Sequence, residues 1–454
     1  MKAGFAEREY TPEKGMVPGQ IEVNYADGKI TPLMAHVAVI ESKGTGAVLV
    51  QLDILFVSSE FATKIRNRIS EITGFPFEQI MINCSHSHTG CATDFDCWDF
   101  RGKPEYLVNV EAAIFEALDA AMADVREVSI GTGTGYDRRF NYCRDFYLED
   151  GRIVTNPGKK HIDDLVRPYT AIDNSVNVMR FDGEDGKPRC FIVNYANHLD
   201  TNPSKAKFDA DYPGHMRLAL KAAYGEDVAV IFFNGCCGNI NHIDFVNHYH
   251  KTAHCAPGAL PPKVIGEGLA DTITKIDPPV VTSAKDINIY GLSRKHVTTR
   301  RRATAEQIAW AHDLAARKEA GEEVDLHTSL LVEMYLKDEK YPPALTAEFE
   351  ITTLQIGPWA IVGLPGEIYS DIGLKIKANS PFANTIIVEI ANGYNGYVSP
   401  DIIQRSGCYT GRYSMVAFTG LGTEKVLVDG CANMLNALND AENIQSIGAL
   451  KELK

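Results

Sequence analysis

Two histidines one residue apart, His86 and His88, stand in the stretch Gln79-Ile80-Met81-Ile82-Asn83-Cys84-Ser85-His86-Ser87-His88-Thr89-Gly90. An apolar run precedes them, which predicts a buried strand opening into a loop. Positions i and i+2 of an extended chain face the same way. Both imidazoles are therefore expected to enter one space just past the carboxyl end of the strand, with Ser87 pointing elsewhere. Open α/β sheets keep their ligand sites at that end. Neutral imidazole is a common metal ligand, so His-x-His there fits the start of a metal site. A pair of loop histidines capping local backbone groups fits the same residues.

Other apolar runs end in groups of the same kind. The run 190–196 leads into Asn197-His198-Leu199-Asp200, and 359–364 into Pro365-Gly366-Glu367. The run 386–390 leads into Asn392-Gly393-Tyr394-Asn395-Gly396-Tyr397-Val398. Each of His198, Glu367 and Tyr397 has a structural reading when taken alone. Four strand ends with the same placement predict a shared site, because parallel strand ends converge on one rim. The short run 228–233, apolar throughout, spills into Asn234-Gly235-Cys236-Cys237-Gly238-Asn239-Ile240-Asn241-His242. This tight turn is suited to presenting backbone amides and small side chains. His248, His250 and His254 follow on the same loop.

The elements that must position these groups read as follows. Residues 3–11 form an edge strand ended by Pro12. Runs at 35–41 and 47–53, joined by Lys43-Gly44-Thr45-Gly46, predict a β-hairpin. Ser58 or Ser59 caps a helix to about Ile72, with Phe61, Ile65, Ile69 and Ile72 as its buried stripe and Gly74 as its stop. Strand–helix–strand order there predicts parallel pairing. A second helix covers 104–122. Gly131-Thr132-Gly133-Thr134-Gly135 has no helix after it, so it reads as bends or close backbone approach rather than a phosphate loop. A hairpin over 176–196, a helix to Tyr224 after Asp209-Ala210-Asp211-Tyr212-Pro213-Gly214, and a helix at 262–275 come next. Thr304 and Gln307 form a capping box for a helix at 304–320. A hairpin over 349–364 and a helix at 423–438 complete the series. The expected fold class is α/β, with mixed sheets and flanking helices in one large domain spanning 1–454.

The bulk properties exclude several function classes. A formal charge of −14 speaks against nucleic acid as a general partner. The basic cluster Arg294-Lys295-His296 and Arg300-Arg301-Arg302 reads as a solvated face. No apolar run reaches the roughly 20 residues of a membrane span, and the amino terminus lacks the apolar core of a signal peptide. Ten cysteines without framework spacing read as reduced thiols in a cytoplasmic protein. The partner expected is a small-molecule substrate, and the reading leaves room for a homo-oligomer.

The order of motifs resembles the amino-terminal catalytic domain of the neutral/alkaline ceramidase family, over almost the whole chain. Its opening Ala-Gly-x-Ala-x-x-Asp-Ile-Thr-Pro is similar to the run Ala3 to Pro12, and its His-Thr-His-Ser-Gly to His86-Ser87-His88-Thr89-Gly90. Its Asn-His-Pro, Asp-Trp/Tyr-Pro-Gly, Pro-Gly-Glu and Asn-x-Tyr-x-x-Tyr-Val are similar to Asn197-His198-Leu199, Asp211-Tyr212-Pro213-Gly214, Pro365-Gly366-Glu367 and the run Asn392 to Val398. The resemblance implies one zinc per chain held by His86, His198, Glu367 and Tyr397, with His88 beside it as acid/base. It also implies roles for Tyr409 and for a substrate-binding arginine at Arg138 or Arg139. The family's catalytic-loop serine is replaced by Asn241, which excludes a serine nucleophile there. The family's Gly-Pro-Gly-Gly becomes Cys91-Ala92-Thr93-Asp94, and its carboxyl-terminal immunoglobulin-like domain has no counterpart. These departures, with the polar loop from His242 to His254, point away from ceramide towards a smaller, more polar ligand.

The expected activity is hydrolysis of an amide, ester or lactone by metal-activated water. His88 would move the proton, while Tyr409, Arg139 and Asn241 would steady the carbonyl oxygen. A metal-dependent lyase or isomerase acting on a sugar acid would use the same groups, and an inactive relative would keep the fold to bind a ligand. An amidohydrolase-type barrel also begins with His-x-His, but the hairpins argue against its strict βα alternation.

Overall fold

Alternation of side chains along the strands sets the architecture. In the strand Met34–Ser42, Val37 and Val39 pack into one core while Ala38 and Ile40 pack into another. In Ala229–Asn234, Val230 and Phe232 face one core and Ile231 and Phe233 the other. Strands that are apolar on both faces must be covered on both. The computed structural model describes all residues except 19–23, 93–103, 247–259, 277–279, 283–286, 342–344, 358 and 445–454. The aromatic and acidic stretch 94–100 and His248, His250 and His254 lie outside the described residues.

The larger sheet has nine strands. Eight run in the order Ala229–Asn234, Pro188–Tyr195, Ser175–Gly183, Arg126–Tyr136, Lys2–Glu9, Met34–Ser42, Thr45–Leu52 and Ile80–Cys84, and Val280–Thr282 pairs with Arg126–Tyr136. A second sheet runs Ile289–Thr299, Thr346–Ile356, Trp359–Leu364 and Asn384–Glu389. Phe5, Leu49, Met81 and Ile231 of the first sheet share a core with Leu354, Ile361 and Val388 of the second, so the sheets pack face to face. Helices Ser59–Thr73, Pro104–Ala123, Asp211–Tyr224 and Pro262–Ile276 lie over the outer face of the larger sheet. Helices Ser370–Ala378 and Thr423–Ile444 lie over the outer face of the smaller one. The result is mixed α/β with flanking helices, as expected from the patterning.

Several local expectations hold. Ser58 caps its helix by accepting from the Phe61 amide at 3.1 Å, and Gly74 ends it at φ 73°. The Thr304/Gln307 capping box is formed. Gly131–Gly135 lies inside a strand. Three readings are corrected. The first strand is not an edge, because Lys2–Glu9 pairs with Met34–Ser42 on one side and touches Arg126–Tyr136 on the other. Ile72 is 40% exposed and leaves the buried stripe to Phe61, Ile65 and Ile69. Arg301 and Arg302 are not merely a solvated face, since they donate to the carbonyls of Gly411, Ala417 and Asp338 and tie loops together.

Three parallel strand pairs decide where a site can form: Thr45–Leu52 with Ile80–Cys84, Pro188–Tyr195 with Ala229–Asn234, and Trp359–Leu364 with Asn384–Glu389. Their carboxyl ends meet where the two sheets adjoin. Among the described residues no helix is long and apolar enough to cross a membrane, and eight cysteines are free, buried thiols.

Candidate metal centre

Each parallel pair delivers its groups through loops that are fastened to one another. Beyond Cys84 the chain leaves the strand: the Ser85 amide donates to Leu52 O at 2.9 Å and the His86 amide to Ile54 O at 3.0 Å. His86 adopts φ 75°, a left-handed conformation that non-glycine residues rarely take. His86 and His88 are therefore not on a strand, and i, i+2 alternation is not what brings their rings to 4.9 Å. The turn does so, together with the His88 amide donating to Leu199 O at 3.0 Å. That bond and a parallel bridge from Ser87 to Leu199 bind the His-x-His loop to the loop carrying His198. Ser87 does point elsewhere, donating to Asp209 O at 2.8 Å. The short strand Glu367–Ile368 pairs in parallel with Tyr397–Val398, and Glu367 lies directly opposite Tyr397. Ile390 at φ 51° and Asn392 at φ 59° form a strained turn whose backbone and side chain hold the Ile80–Cys84 strand.

The tautomers follow from these contacts. His86 Nδ1 lies 3.1 Å from Leu55 O, and His198 Nδ1 lies 3.1 Å from Cys237 O. A carbonyl can only accept, so each Nδ1 carries a proton, and in the neutral imidazole each Nε2 presents a lone pair. Glu367 Oε2 lies 3.4 Å from His86 Nε2 and 3.3 Å from His198 Nε2. Tyr397 OH is 3.5 Å from His198 Nε2. His86 Nε2 and Glu367 Oε2 are buried with no hydrogen-bond partner. Lone pairs facing lone pairs in a buried pocket repel one another unless a cation lies among them. One ligand atom from each of His86, His88 and His198 also falls within 4.8 Å of the others. The donor set of imidazoles, carboxylate and phenol suits zinc or a similar ion.

Charge in the site follows the same logic. Burial pushes the Glu367 carboxyl up, but His86 and His198 more than reverse this and hold it well below the usual range. Burial lowers His86, which Glu367 offsets to leave it raised; His198 is lowered by burial and Arg144. Burial pushes His88 down to about 3, with His86 and His198 adding to the effect and Asp200 opposing it. His88 is thus held as a neutral imidazole.

A supporting layer orients these groups. Tyr394 OH donates to Glu367 Oε1 at 2.6 Å, and its ring stacks on Phe56 at 4.2 Å. Glu389 accepts from the Cys237 amide at 3.0 Å, the Ile368 amide at 2.9 Å and the Cys237 thiol at 2.8 Å. It thereby fixes both the carbonyl that orients His198 and the strand that carries Glu367, as outer partners of metal ligands do. Burial raises Glu389 to about 8. A cavity of about 430 Å³ opens over the cluster, a size that suits a small ligand.

No protein-family model matches the chain, and no curated protein is similar to it in sequence. Solved structures are similar in three dimensions. The crystal structure of neutral ceramidase from Pseudomonas aeruginosa matches 97% of this chain and 74% of its own, with a TM-score of 0.68 and 16% identity. A ceramidase complexed with C2 matches 97% of this chain and 75% of its own, with a TM-score of 0.69 and 16% identity. The fold is that of the neutral ceramidases.

Within this ceramidase-like fold, His86, His88, His198, Glu367, Tyr397, Tyr409 and Asn241 all line the one cavity. Arg139 does not. Its guanidinium pairs with Asp137 at 2.6 Å and also donates to Gly268 O and Thr272, on a surface away from the cluster, with Arg138 nearby. Two arginines line the cavity, Arg144 and Arg412; Arg144 is buried, donates to Gly238 O at 2.7 Å and has its Nε without a partner. Its guanidinium carbon lies 5.3 Å from the Tyr397 ring and 5.9 Å from that of Tyr409. Arg144, Tyr394 and Glu389 escaped the sequence reading. Arg144 stands only two residues past the polar patch 137–142, and Tyr394 belongs to the same motif as Tyr397, so both carried a weak signal.

Proposed function

We propose that the chain is a metal-dependent hydrolase acting on an amide, ester or lactone bond of a small polar substrate. The observation that carries this reading is the convergence of His86 Nε2, His198 Nε2 and Glu367 Oε2 on one buried point beside Tyr397 and His88. His86, His198, Glu367 and Tyr397 would hold one zinc per chain. When bound, such an ion supplies a Lewis acid and lowers the pKa of coordinated water to about 7.

The remaining work falls to the chain's own side chains. His88, in the cavity beside His86 and His198, takes a proton from the attacking water and returns it to the leaving nitrogen or oxygen. Water thus adds across the acyl bond, its oxygen going to the carbonyl carbon. Arg144 and the Tyr409 hydroxyl oppose the negative charge that develops on the carbonyl oxygen. The Asn241 side chain, whose amide lies 3.4 Å from Asn156 Oδ1, lines the wall that receives the rest of the substrate.

The proximity of His86, His88 and His198 favours a second reading in which these three form the ligand set and Glu367 takes the proton. His88→Ala separates the two: zinc retained with hydrolysis lost supports the first, and zinc lost supports the second. The activity itself is tested on matched p-nitroanilide, p-nitrophenyl ester and lactone substrates before and after chelation. Turnover of at least one class, abolished by chelation and restored by zinc, is expected; turnover that survives chelation refutes the proposal.

A further inference from the structure

The cavity over the cluster does not end at Tyr409. A second cavity of about 400 Å³ adjoins it, and Thr155, Asn156, Tyr409 and Arg412 line both. The basic side chains lining this annex are Arg152, Arg412 and His161, and among the described residues no aspartate or glutamate lines it. Arg152 shares its charge with Asp150 at 2.6 Å. Arg412 is exposed and in ion-pair contact with no carboxylate among the described residues. Beside it, Asn156 accepts from the Asn241 amide through Oδ1 at 3.4 Å, which leaves its own amide hydrogens at the seam between the cavities.

Carboxylates on the inner side do not cancel this field. Asp200 is matched by Lys205 at 2.7 Å, and Glu367 is turned towards the histidines. A planar guanidinium with a neighbouring amide donor is suited to a bidentate oxyanion, and at a partly open site such a contact discriminates without a large desolvation cost. The apolar side chains Leu55, Phe56 and Val416 line the inner cavity, and Ile153, Val154 and Pro157 line the annex beside its arginines.

The geometry points to an oxyanion subsite at Arg412 and Asn156: the substrate carries a carboxylate or a phosphate- or sulfate-like group at the end remote from the bond that is cleaved. The role of this subsite in turnover rests on the hydrolase reading, but the binding of an anion there does not.

Binding of non-hydrolysable ketones to the purified full chain tests it by calorimetry. The probes are 4-benzoylbutyrate, its uncharged counterpart valerophenone, and 3-benzoylpropylphosphonate. The carboxylate or the phosphonate is expected to bind at least about tenfold tighter than valerophenone, and whichever anion binds tighter names the group. Arg412→Ala should cut that preference to about twofold, while Arg412→Lys keeps part of it. Arg412→Gln serves as a second neutral variant if the alanine variant does not fold by circular dichroism. Equal affinity for charged and uncharged ketones, or a preference unchanged in both neutral variants, overturns the subsite. Anion preference without hydrolysis of any glutaryl or pentanoyl p-nitroanilide or p-nitrophenyl ester, or of any lactone, keeps the subsite and removes the hydrolase reading. Hydrolysis without anion preference does the reverse.

Discussion

Two buried charge clusters in this molecule follow opposite rules. Around Asp53, both carboxylate oxygens are met by donors: Arg217 binds them at 2.6 and 2.7 Å, Gln51 donates at 2.9 Å and the Met34 amide at 3.0 Å. Gln51 Oε1 in turn accepts from Arg217 at 2.8 Å. Around Glu367, acceptors face acceptors, and Oε2 and His86 Nε2 have no donor. Both clusters lie just past the Thr45–Leu52 strand or its parallel neighbour, so position in the fold does not distinguish them. Satisfaction does. A closed network stabilises the fold around it, whereas an open one is kept for something that must arrive.

The comparison yields predictions, the largest at the open cluster. Glu367→Gln keeps shape and removes the charge, so hydrolysis should fall by about 1,000-fold or more, given that metal centres supply several kcal/mol. The stability of the metal-free protein should hold or rise, because one repelling lone pair is replaced by a donor. A marked loss of metal-free stability, read by urea denaturation, would place this cluster in the same class as Asp53.

Arg217→Met should behave in the opposite sense. Stranding Asp53 in the interior should cost about 3–5 kcal/mol, read as a lower urea midpoint, with zinc content per folded chain retained. A cost below about 1 kcal/mol would show that the closed network contributes no more than a surface pair.

Glu389 sharpens the contrast through pH. Its carboxyl is raised from 4.5 to about 8, chiefly by burial. Between those values the folded chain keeps a proton that the unfolded chain releases, so stability falls as pH rises through this window, by at most about 1.4 kcal/mol per pH unit. Glu389→Gln should flatten that slope relative to wild type between pH 5 and 8. An unchanged slope would mean that Glu389 ionises normally in the folded protein.

The smallest effect is expected at Tyr394. Removing the hydroxyl that donates to Glu367 Oε1 in Tyr394→Phe should weaken zinc binding about 10- to 100-fold, the range typical of outer partners, measured by competition with a chromogenic chelator. No change would assign Tyr394 to packing against Phe56 alone.

Much of the frame was legible in the sequence because local rules fix it. Ser58 and Gly74 bound a helix, Lys43 and Gly44 turn a hairpin through positive φ, and Thr304 with Gln307 closes a capping box. Residues at parallel strand ends converge because the sheet forces them to, which is why His86, His88, His198, Glu367 and Tyr397 share one cavity, while Tyr409 and Asn241 reach it from outside those parallel pairs. What sequence could not yield depends on non-local pairing. The Lys2–Glu9 strand reads as an edge until its register with Arg126–Tyr136 is known. Arg139 and Arg144 differ in role because Asp137 and Thr272 claim one, while a backbone carbonyl holds the other beside Tyr397. His86 reaches its place through a left-handed turn at φ 75°, which alternation along a strand does not foresee.

The central claim is that the converging lone pairs await a cation. Metal content by plasma mass spectrometry on the purified chain, beside His198→Ala and Glu367→Ala, tests this directly. Near one zinc per wild-type chain, falling sharply in both variants, is the predicted result. No metal in the wild type, and none taken up when zinc is added, would contradict the account.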